Sequence, residues 1–554
     1  MVFKGFLSER KNGAIPRPVF VVMMIEKMIK QYAWLLLAVS GVLMGLTVCY
    51  PALGFLEWVV MVPSLLVFFT VARDKNVRLR RLYRVGFFYY FCFYMTTFHW
   101  FLSLYPLDFL GVTKAEGVLL VAICWGGLSL LQTIFAALVL PLFGFLCRLP
   151  IIERLLPLVP LLFAAQYVVA EWSQTLTWLG VPWARLALGQ IDYGIVSGSA
   201  ALFGSYFITF AVVLCNGYLA FALLHLKQQQ RMRLCVSLGG GALAVAILLG
   251  TAGYLTADPD KGEPIVVAAV QGNVGSDLKW TGDSRSKTYE IYAVYTAKAA
   301  EQGASFVVFP ETFVPDTLSE RTTLGTYVVA LAKQYNITVL CGAFHTDQEG
   351  NEYNALFAVY PDGRIDENVY AKRHLVPFGE YVPWRPVIEF LLPLLADIGM
   401  RSDDLAAGQD SALFDTAYGK IGGLLCFDSI YENLTRDSVG DGAEILVLST
   451  NDSWFSDSRG VYMHHAQARL RAIESGRWVV RSADTGISSV IAPNGTPHEL
   501  QPPLVDGVAI YTATLREGNT LYGSIGNLFV ALLAILVLAV PFGEIAHRYR
   551  RHKQ

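Results

Sequence analysis

Long, nearly uncharged apolar runs dominate the first half of the chain and constrain its fold more than any other feature. A transmembrane helix needs about 20 mostly apolar residues. The charged fraction of the chain, 16%, is also well below the roughly 25% usual in soluble proteins. The sequence therefore predicts a polytopic α-helical membrane protein. The eight predicted spans are residues 32–50, 54–72, 84–105, 116–147, 156–172, 197–225, 234–256 and 522–543.

Basic residues orient these spans. Lys and Arg concentrate before the first run, in the loop 73–84, around 148–154 and 227–233, and after the last run. Cytoplasmic segments carry this excess, so we expect both termini to be cytoplasmic and residues 257–521 to lie outside. In a Gram-negative cell that places them in the periplasm and the spans in the inner membrane. The basic N-terminal lead lacks the pattern of a cleavable signal peptide.

Residues 257–521 differ in composition from the apolar runs on either side. Short β-rich stretches alternate there with helical patterns, which predicts an α/β domain. The chain thus divides into a membrane domain of about seven spans, 1–256, the outer domain, 257–521, and a final span with a basic tail, 522–554. Predicted strands are 265–270, 306–309, 338–344, 355–360, 421–425, 445–449, 478–481 and 488–491, and predicted helices are 284–301, 322–335 and 460–476.

Three short apolar stretches of the outer domain lead to residues that can do chemistry. Cys426 follows the run 420–425 and precedes a predicted helix, whose end dipole favours a thiolate. Glu311 follows the strand 306–309, at a position suited to a general base, and Lys372 could hold an oxyanion. Singly, they are also consistent with a core cysteine, a solvated glutamate and a surface lysine. Together they supply the parts of nucleophilic catalysis.

Glu, then Lys, then Cys at strand ends resembles the nitrilase superfamily. The motifs FPE (309–311), KRHLVPFGEYVP (372–383) and NDSWF (451–455) are more specific and resemble the apolipoprotein N-acyltransferases, over nearly the whole chain. The resemblance implies an α-β-β-α sandwich with the catalytic residues grouped at one edge. It also implies an enzyme that adds the third acyl chain to bacterial lipoproteins, with Glu311, Lys372 and Cys426 as its triad.

Two further groups have supporting roles near this triad. Glu380 lies near Lys372 in sequence and is expected to position Lys372 or the incoming amine, and the Phe427 main-chain N–H is expected to help hold the oxyanion. The family usually has Cys-Tyr-Glu at the nucleophile, whereas this chain has Cys-Phe-Asp at 426–428. The acid is shortened and the tyrosine hydroxyl is absent. Asp428 is therefore either an acid that supports the site or an N-cap of the following helix.

Three tryptophans are candidate substrate contacts. The family resemblance suggests that Trp280 stands at the pocket mouth or the bilayer interface, and that Trp454 borders the catalytic pocket. The motif around Trp454 is equally consistent with an Asx turn and a buried tryptophan. Trp183 lies in the outer loop 173–196, which fits either an interfacial aromatic loop or a re-entrant segment that helps to form a lipid entry site.

These parts fit a two-step acyl transfer through a cysteine thioester. The resemblance implies a phospholipid donor, commonly phosphatidylethanolamine, and a diacylated apolipoprotein acceptor, among membrane lipids. The net charge of -2 gives no indication of a nucleic-acid partner. The adjacent His464 and His465 lack metal-ligand spacing and are predicted to be structural or supporting, so neither a metal nor a cofactor is expected.

Two other classes of function stay open. One is a membrane-tethered amidase of the nitrilase family that acts on a substrate other than a lipoprotein. It would keep the triad but would not need eight spans. The other is a non-catalytic lipoprotein-binding or transport protein, which has no reason to carry Glu, Lys and Cys together.

Overall fold

Long helices make up most of the N-terminal part of the protein. The computed structural model describes residues 17–107, 112–177, 179–275, 279, 284–391 and 404–553. The helices of this part are α1 Arg17–Cys49, α2 Val62–Arg73, α3 Leu79–Thr97, α4 Lys114–Ala136, α5 Val139–Cys147, α6 Pro150–Arg154, α7 Val159–Ser173, α8 Gly194–Ser197, α9 Ala200–Phe203, α10 Ser205–Leu224 and α11 Gln229–Thr256. Short 3₁₀ helices are Pro51–Trp58, His99–Leu104, Leu156–Leu158 and Leu186–Gln190.

The described residues contain six spans that are long and apolar enough to cross a membrane. A seventh exists if Pro51–Trp58 and α2, bent by 40° relative to each other, cross as one. The structure thus confirms a multi-pass helical membrane body but not the predicted count of eight. The run predicted at 84–105 forms α3 and a 3₁₀ helix, and the arginines and tyrosines of α3 make it less apolar than the other spans.

Two six-stranded sheets follow α11. Their strands are β1 Glu263–Gln271, β2 Phe306–Val308, β3 Thr338–Thr346, β4 Glu352–Val359, β5 Tyr370–Ala371, β6 Leu413–Asp415, β7 Lys420–Leu425, β8 Ile445–Thr450, β9 Val479–Ala483, β10 Ser488–Ile491, β11 Pro497–Gln501 and β12 Gly507–Leu515. The helices are α12 Arg285–Glu301, α13 Thr323–Tyr335, α14 Arg385–Leu391, α15 Glu432–Gly440, α16 Arg459–Ser475, α17 Leu521–Ile525 and α18 Leu528–Lys553.

The sheets pack face to face. Their strand orders are β12-β1-β2-β3-β4-β5 and β11-β10-β9-β8-β7-β6, with β1, β2 and β3 parallel in one and β7, β8 and β9 parallel in the other. Apolar side chains such as Val267, Val308, Leu425 and Val447 fill the space between them. The first sheet covers its outer face with α12 and α13, and the second with α15 and α16. The predicted α-β-β-α sandwich is confirmed.

Parallel strands bring their carboxyl ends to one edge of this sandwich. Side chains join the two sheets there, because Ser449 Oγ at the end of β8 donates to the Phe309 carbonyl after β2, at 2.8 Å. The eight predicted strands all form, whereas β5, β6, β11 and β12 lie outside the prediction. The residues that follow β2, β5, β7 and β8 meet at this edge.

A buried ionic junction fixes the outer domain to the membrane body. Glu432, at the start of α15, accepts from Arg185 at 2.5 Å and from Tyr206 of α10 at 3.1 Å. Arg471 of α16 lies 3.8 Å away, and Asn527, just before α18, donates to the same carboxylate at 3.3 Å. Burial works against the charge, but Arg185 and Arg471 lower the pKa of Glu432 to about 2. The carboxylate therefore joins four segments of the chain.

Candidate active site

The turn after β7 presents Cys426 to a cavity. Cys426 begins the 3₁₀ helix Cys426–Ile430, and its φ of 44° lies in the left-handed region that non-glycine residues seldom adopt. Its side chain is partly exposed, and Sγ lies 4.0 Å from the Asn451 carbonyl oxygen. Such strain is characteristic of functional turns.

The expectation that helix-end dipoles favour a thiolate is wrong for the resting site. The enclosed surroundings and the nearby Glu311 raise the pKa of the Cys426 thiol above its ordinary value, although Lys372 acts in the opposite direction. A raised pKa favours the thiol form, which needs a base to remove its proton before the sulfur can attack.

Glu311 and Lys372 form a buried pair beside this thiol. Glu311 is 4% exposed, and its Oε1 lies 2.8 Å from Lys372 Nζ. Its Oε2 accepts from the Asn451 main-chain N–H at 2.9 Å. Burial disfavours the ammonium, but the carboxylates of Glu311 and Glu380 raise the pKa of Lys372 well above its ordinary value. Lys372 is therefore a fixed cation.

Asn354, on β4, belongs to the site but was missed by sequence reasoning. Its amide nitrogen donates to Glu311 Oε1 at 2.6 Å and to Glu380 Oε1 at 2.7 Å. Lys372 Nζ lies 2.9 Å from Glu380 Oε2, so both donors bridge the same two carboxylates. One neutral and one charged donor thus hold the two carboxylates in place.

Asp428 faces the Lys372 segment and does not cap a helix. Its carboxylate accepts from Tyr370 Oη at 2.8 Å, from the His374 main-chain N–H at 2.8 Å and from that of Arg373 at 3.4 Å. The N-cap alternative is wrong, since the described turn has no side-chain cap. Burial raises the pKa of Asp428 to about 6, against the effects of Lys372 and the His374 N–H.

A cavity of about 610 Å³ connects the triad with the membrane body. Glu311, Lys372 and Cys426 line one part of it. Apolar side chains of the membrane body line another part, among them Leu120, Val121, Ile123, Cys124, Leu128 and Leu131 of α4. The cavity thus joins a polar reacting centre to a surface suited to hydrocarbon.

Two of the three candidate tryptophans line this cavity. Trp183 is only 3% exposed, and its ring lies 6.3 Å from that of Phe427, measured between centroids. Trp183 is therefore packed inside the protein, in the wall of the cavity. Trp454 also lines the cavity, next to an Asx turn in which Asn451 Oδ1 accepts from the Ser453 N–H at 3.1 Å. Trp280 lies outside the described residues.

This edge of the sandwich brings together the Cys426 thiol, the Glu311 carboxylate, the buried Lys372 ammonium and several main-chain donors. The Phe427 N–H lies in the first turn of a 3₁₀ helix, where main-chain donors have no partner within the helix. These groups can remove a proton, attack a carbonyl and hold an oxyanion. The roles of the individual residues stay predictions.

Comparison with known proteins identifies the class of protein to which this fold and site belong. Residues 266–517 match the carbon-nitrogen hydrolase family, so the fold and the site define a carbon-nitrogen hydrolase domain joined to a membrane body. Residues 40–218 match the apolipoprotein N-acyltransferase N-terminal domain. Proteins named apolipoprotein N-acyltransferase in Geobacter metallireducens and Gloeobacter violaceus are each 30% identical; the alignments cover 90% and 92% of this chain and 92% and 93% of theirs.

The chain belongs to the apolipoprotein N-acyltransferase family. Among solved structures, Saccharomyces cerevisiae Nit3, a member of branch 10 of the nitrilase superfamily, is 20% identical with a TM-score of 0.36. That match covers 46% of this chain and 90% of Nit3.

Proposed function

We propose that this protein transfers an acyl chain from a phospholipid to the α-amino group of the N-terminal diacylglyceryl-cysteine of an apolipoprotein. The observation that carries the proposal is the cavity shared by Glu311, Lys372, Cys426 and the apolar face of α4. A long acyl chain can lie along α4 while its ester carbonyl reaches the thiol. The donor is a phospholipid, phosphatidylethanolamine being the common one in the family.

The first half of the reaction forms a thioester. Glu311 takes the proton of Cys426, and the sulfur attacks the ester carbonyl carbon of the phospholipid. Lys372 and the Phe427 N–H stabilise the oxyanion, and each such donor is worth about 10²–10³-fold in rate. When the intermediate collapses, the carbon–oxygen bond breaks, Glu311 returns the proton to the leaving oxygen, and a lysophospholipid departs.

The second half forms the amide. The neutral α-amino group of the acceptor attacks the thioester carbonyl, and Glu311 removes one amine proton. The carbon–sulfur bond then breaks, and the thiol is regenerated by that proton. Glu380 holds Lys372 in place through both halves, and the apolar cavity keeps water away from the thioester.

We further propose the arrangement of the protein in the cell. The basic segments place both termini in the cytoplasm and the catalytic domain, residues 257–521, in the periplasm of a Gram-negative inner membrane. Residues 1–256 and 522–554 form the membrane parts around it. This arrangement puts the cavity on the outer side of the membrane.

Detergent-purified protein tests the proposal. Given phospholipid and a diacylated lipopeptide, it should release lysophospholipid and triacylated peptide, and the same peptide with a blocked amine should leave an acyl adduct on Cys426, seen by mass spectrometry. Cys426→Ser should abolish the adduct and the product, whereas Cys341→Ser, in β3, is the matched control. An adduct on Cys341, or full activity of Cys426→Ser, would refute the nucleophile assignment.

The amidase alternative predicts a different outcome of the same experiment. An amidase would release ammonia or an amine from a small soluble amide and would leave the lipopeptide unchanged. Nothing in that chemistry uses the apolar wall that α4 contributes to the cavity. Transfer to the lipopeptide without amide hydrolysis excludes this alternative.

A further inference from the structure

A buried histidine contacts the nucleophile turn, although the reaction above gives it no role. His464, on α16, is 1% exposed. Its Nε2 lies 3.1 Å from the Cys426 carbonyl oxygen and 3.0 Å from Ser429 Oγ. Its Nδ1 lies 2.7 Å from Asp452 Oδ1, and the other oxygen of that carboxylate accepts from Arg481 at 2.8 Å. The ring therefore links the nucleophile turn to a buried ion pair.

The contacts of this ring indicate where its protons lie. The short contact with the Asp452 carboxylate requires a proton on Nδ1. A neutral ring would then direct the lone pair of Nε2 at the Cys426 carbonyl oxygen, which is itself an acceptor. The Ser429 hydroxyl has one proton for two acceptors, Nε2 at 3.0 Å and the Cys426 carbonyl oxygen at 2.8 Å, so a neutral ring leaves one donor too few among these three atoms. A second proton on Nε2 supplies that missing donor.

Charged and aromatic side chains surround the ring. Asp452 and Arg481 are the charged groups that face it, and Arg481 Nη2 lies 3.3 Å from Nδ1. The rings of Trp183 and Phe455 lie nearby, with centroids 5.3 Å and 6.5 Å from that of His464. Burial would raise the pKa of Asp452, but Arg481 and His464 hold it below its ordinary range. Asp452 raises the pKa of the Cys426 thiol, and a positive charge on the ring would oppose that effect.

We propose that His464 is a positioning residue that stays protonated, holds the left-handed turn of Cys426 through its carbonyl and favours the thiolate over the thiol. The proposal rests on Cys426 being the nucleophile of the proposed function. In each half-reaction the proton moves between Glu311 and the reacting atoms, and His464 keeps both of its own protons. Its charge stabilises the electron pair left on sulfur.

Alkylation of Cys426 tests this without any lipid. Purified full-length protein is treated with iodoacetamide at a series of pH values from about 6 to about 10, which brackets the ordinary pKa of a cysteine thiol. Peptide mass spectrometry follows the Cys426 adduct. His464→Gln keeps an N–H for the carbonyl but removes the charge. We expect its pH curve to move upward by about one unit, which is roughly a tenfold slower reaction at a fixed pH. Thioester formation should slow similarly, with the KM for phospholipid unchanged.

Two further variants keep the test decisive. His465→Gln is the matched control, because His465 is also buried on α16 but contacts Ser489, at 2.9 Å, and should leave the curve unchanged. His464→Asn, which keeps a donor toward Asp452, should shift the curve as His464→Gln does and replaces it if that variant fails to fold. An unchanged curve in a folded neutral variant overturns the proposal. Because no lipid is present, that result is separate from any failure of lipid transfer.

Discussion

Replacement of Asp428 by asparagine tests how the Lys372 segment is held in place. Three donors converge on the Asp428 carboxylate: Tyr370 Oη at 2.8 Å and the N–H groups of His374 and Arg373 at 2.8 Å and 3.4 Å. Asparagine offers one acceptor oxygen and a donor group in place of two acceptors. At least one main-chain N–H beside Lys372 is then left facing another N–H.

The expected loss follows from that unpaired donor. Leaving a buried donor unsatisfied costs about 1–3 kcal/mol. If this destabilises the position of Lys372 in the transition state, thioester formation slows by roughly 10-fold to 100-fold. Asp428→Glu keeps the charge and should lose less, because glutamate is usual in the family. Single-turnover acylation, followed as lysophospholipid release, measures both variants.

The Asp428 carboxylate should also make the rate of acylation depend on pH. The raised pKa of about 6 means that Asp428 accepts fully only above that pH, so acylation should fall as pH drops through about 6. Asp428→Asn should lack this acid limb. Asp437→Asn is the matched control, since Asp437 pairs with the Arg373 side chain at 3.0 Å but is 39% exposed. Near-native acylation and an intact acid limb in Asp428→Asn would refute the reasoning.

Three other predictions concern separate parts of the molecule. Asn354→Leu removes one of two donors between Glu311 and Glu380, so single-turnover acylation should fall roughly 10-fold to 100-fold, and a near-native rate would contradict the bridging role. Glu432→Gln leaves the buried Arg185 without the carboxylate of its ion pair and should lower the free energy of unfolding by about 3–5 kcal/mol, measured in detergent. A reporter active only outside the cytoplasm should be active when fused after residue 257 and silent after residue 230, and the reverse would refute the orientation.

Local patterns in the sequence predicted much of the outer domain. The buried strands β2, β7 and β8 are short runs of β-rich apolar residues, and their ends carry Glu311, Cys426 and the 451–455 motif. The span count of eight was less secure, because α3 mixes arginines and tyrosines with its apolar residues. Short strands such as β5 and β6 pair only through neighbours distant in sequence, so no local pattern marks them.

The raised pKa of the Cys426 thiol shows why the properties of a site cannot be predicted from its sequence motif alone. A cysteine before a helix favours a thiolate only if the helix end outweighs desolvation. The enclosing cavity sets that balance, and its walls come from α4, the 179–183 segment and the loop after β8, which the sequence separates by many residues. The spacing of Cys426 and its helix contains no information about those walls.

Asn354 and His464 show the same limit for polar residues. Asn354 lies one residue before the predicted strand 355–360. Its two carboxylate partners are 43 and 26 residues away in sequence, so no local pattern reveals them. His464 is one of two adjacent histidines on α16, and the fold turns one toward Cys426 and the other toward Ser489. The strained turn at Cys426 is held by Ser429 from within and by His464 from outside. The catalytic motif therefore depends on residues that it does not contain.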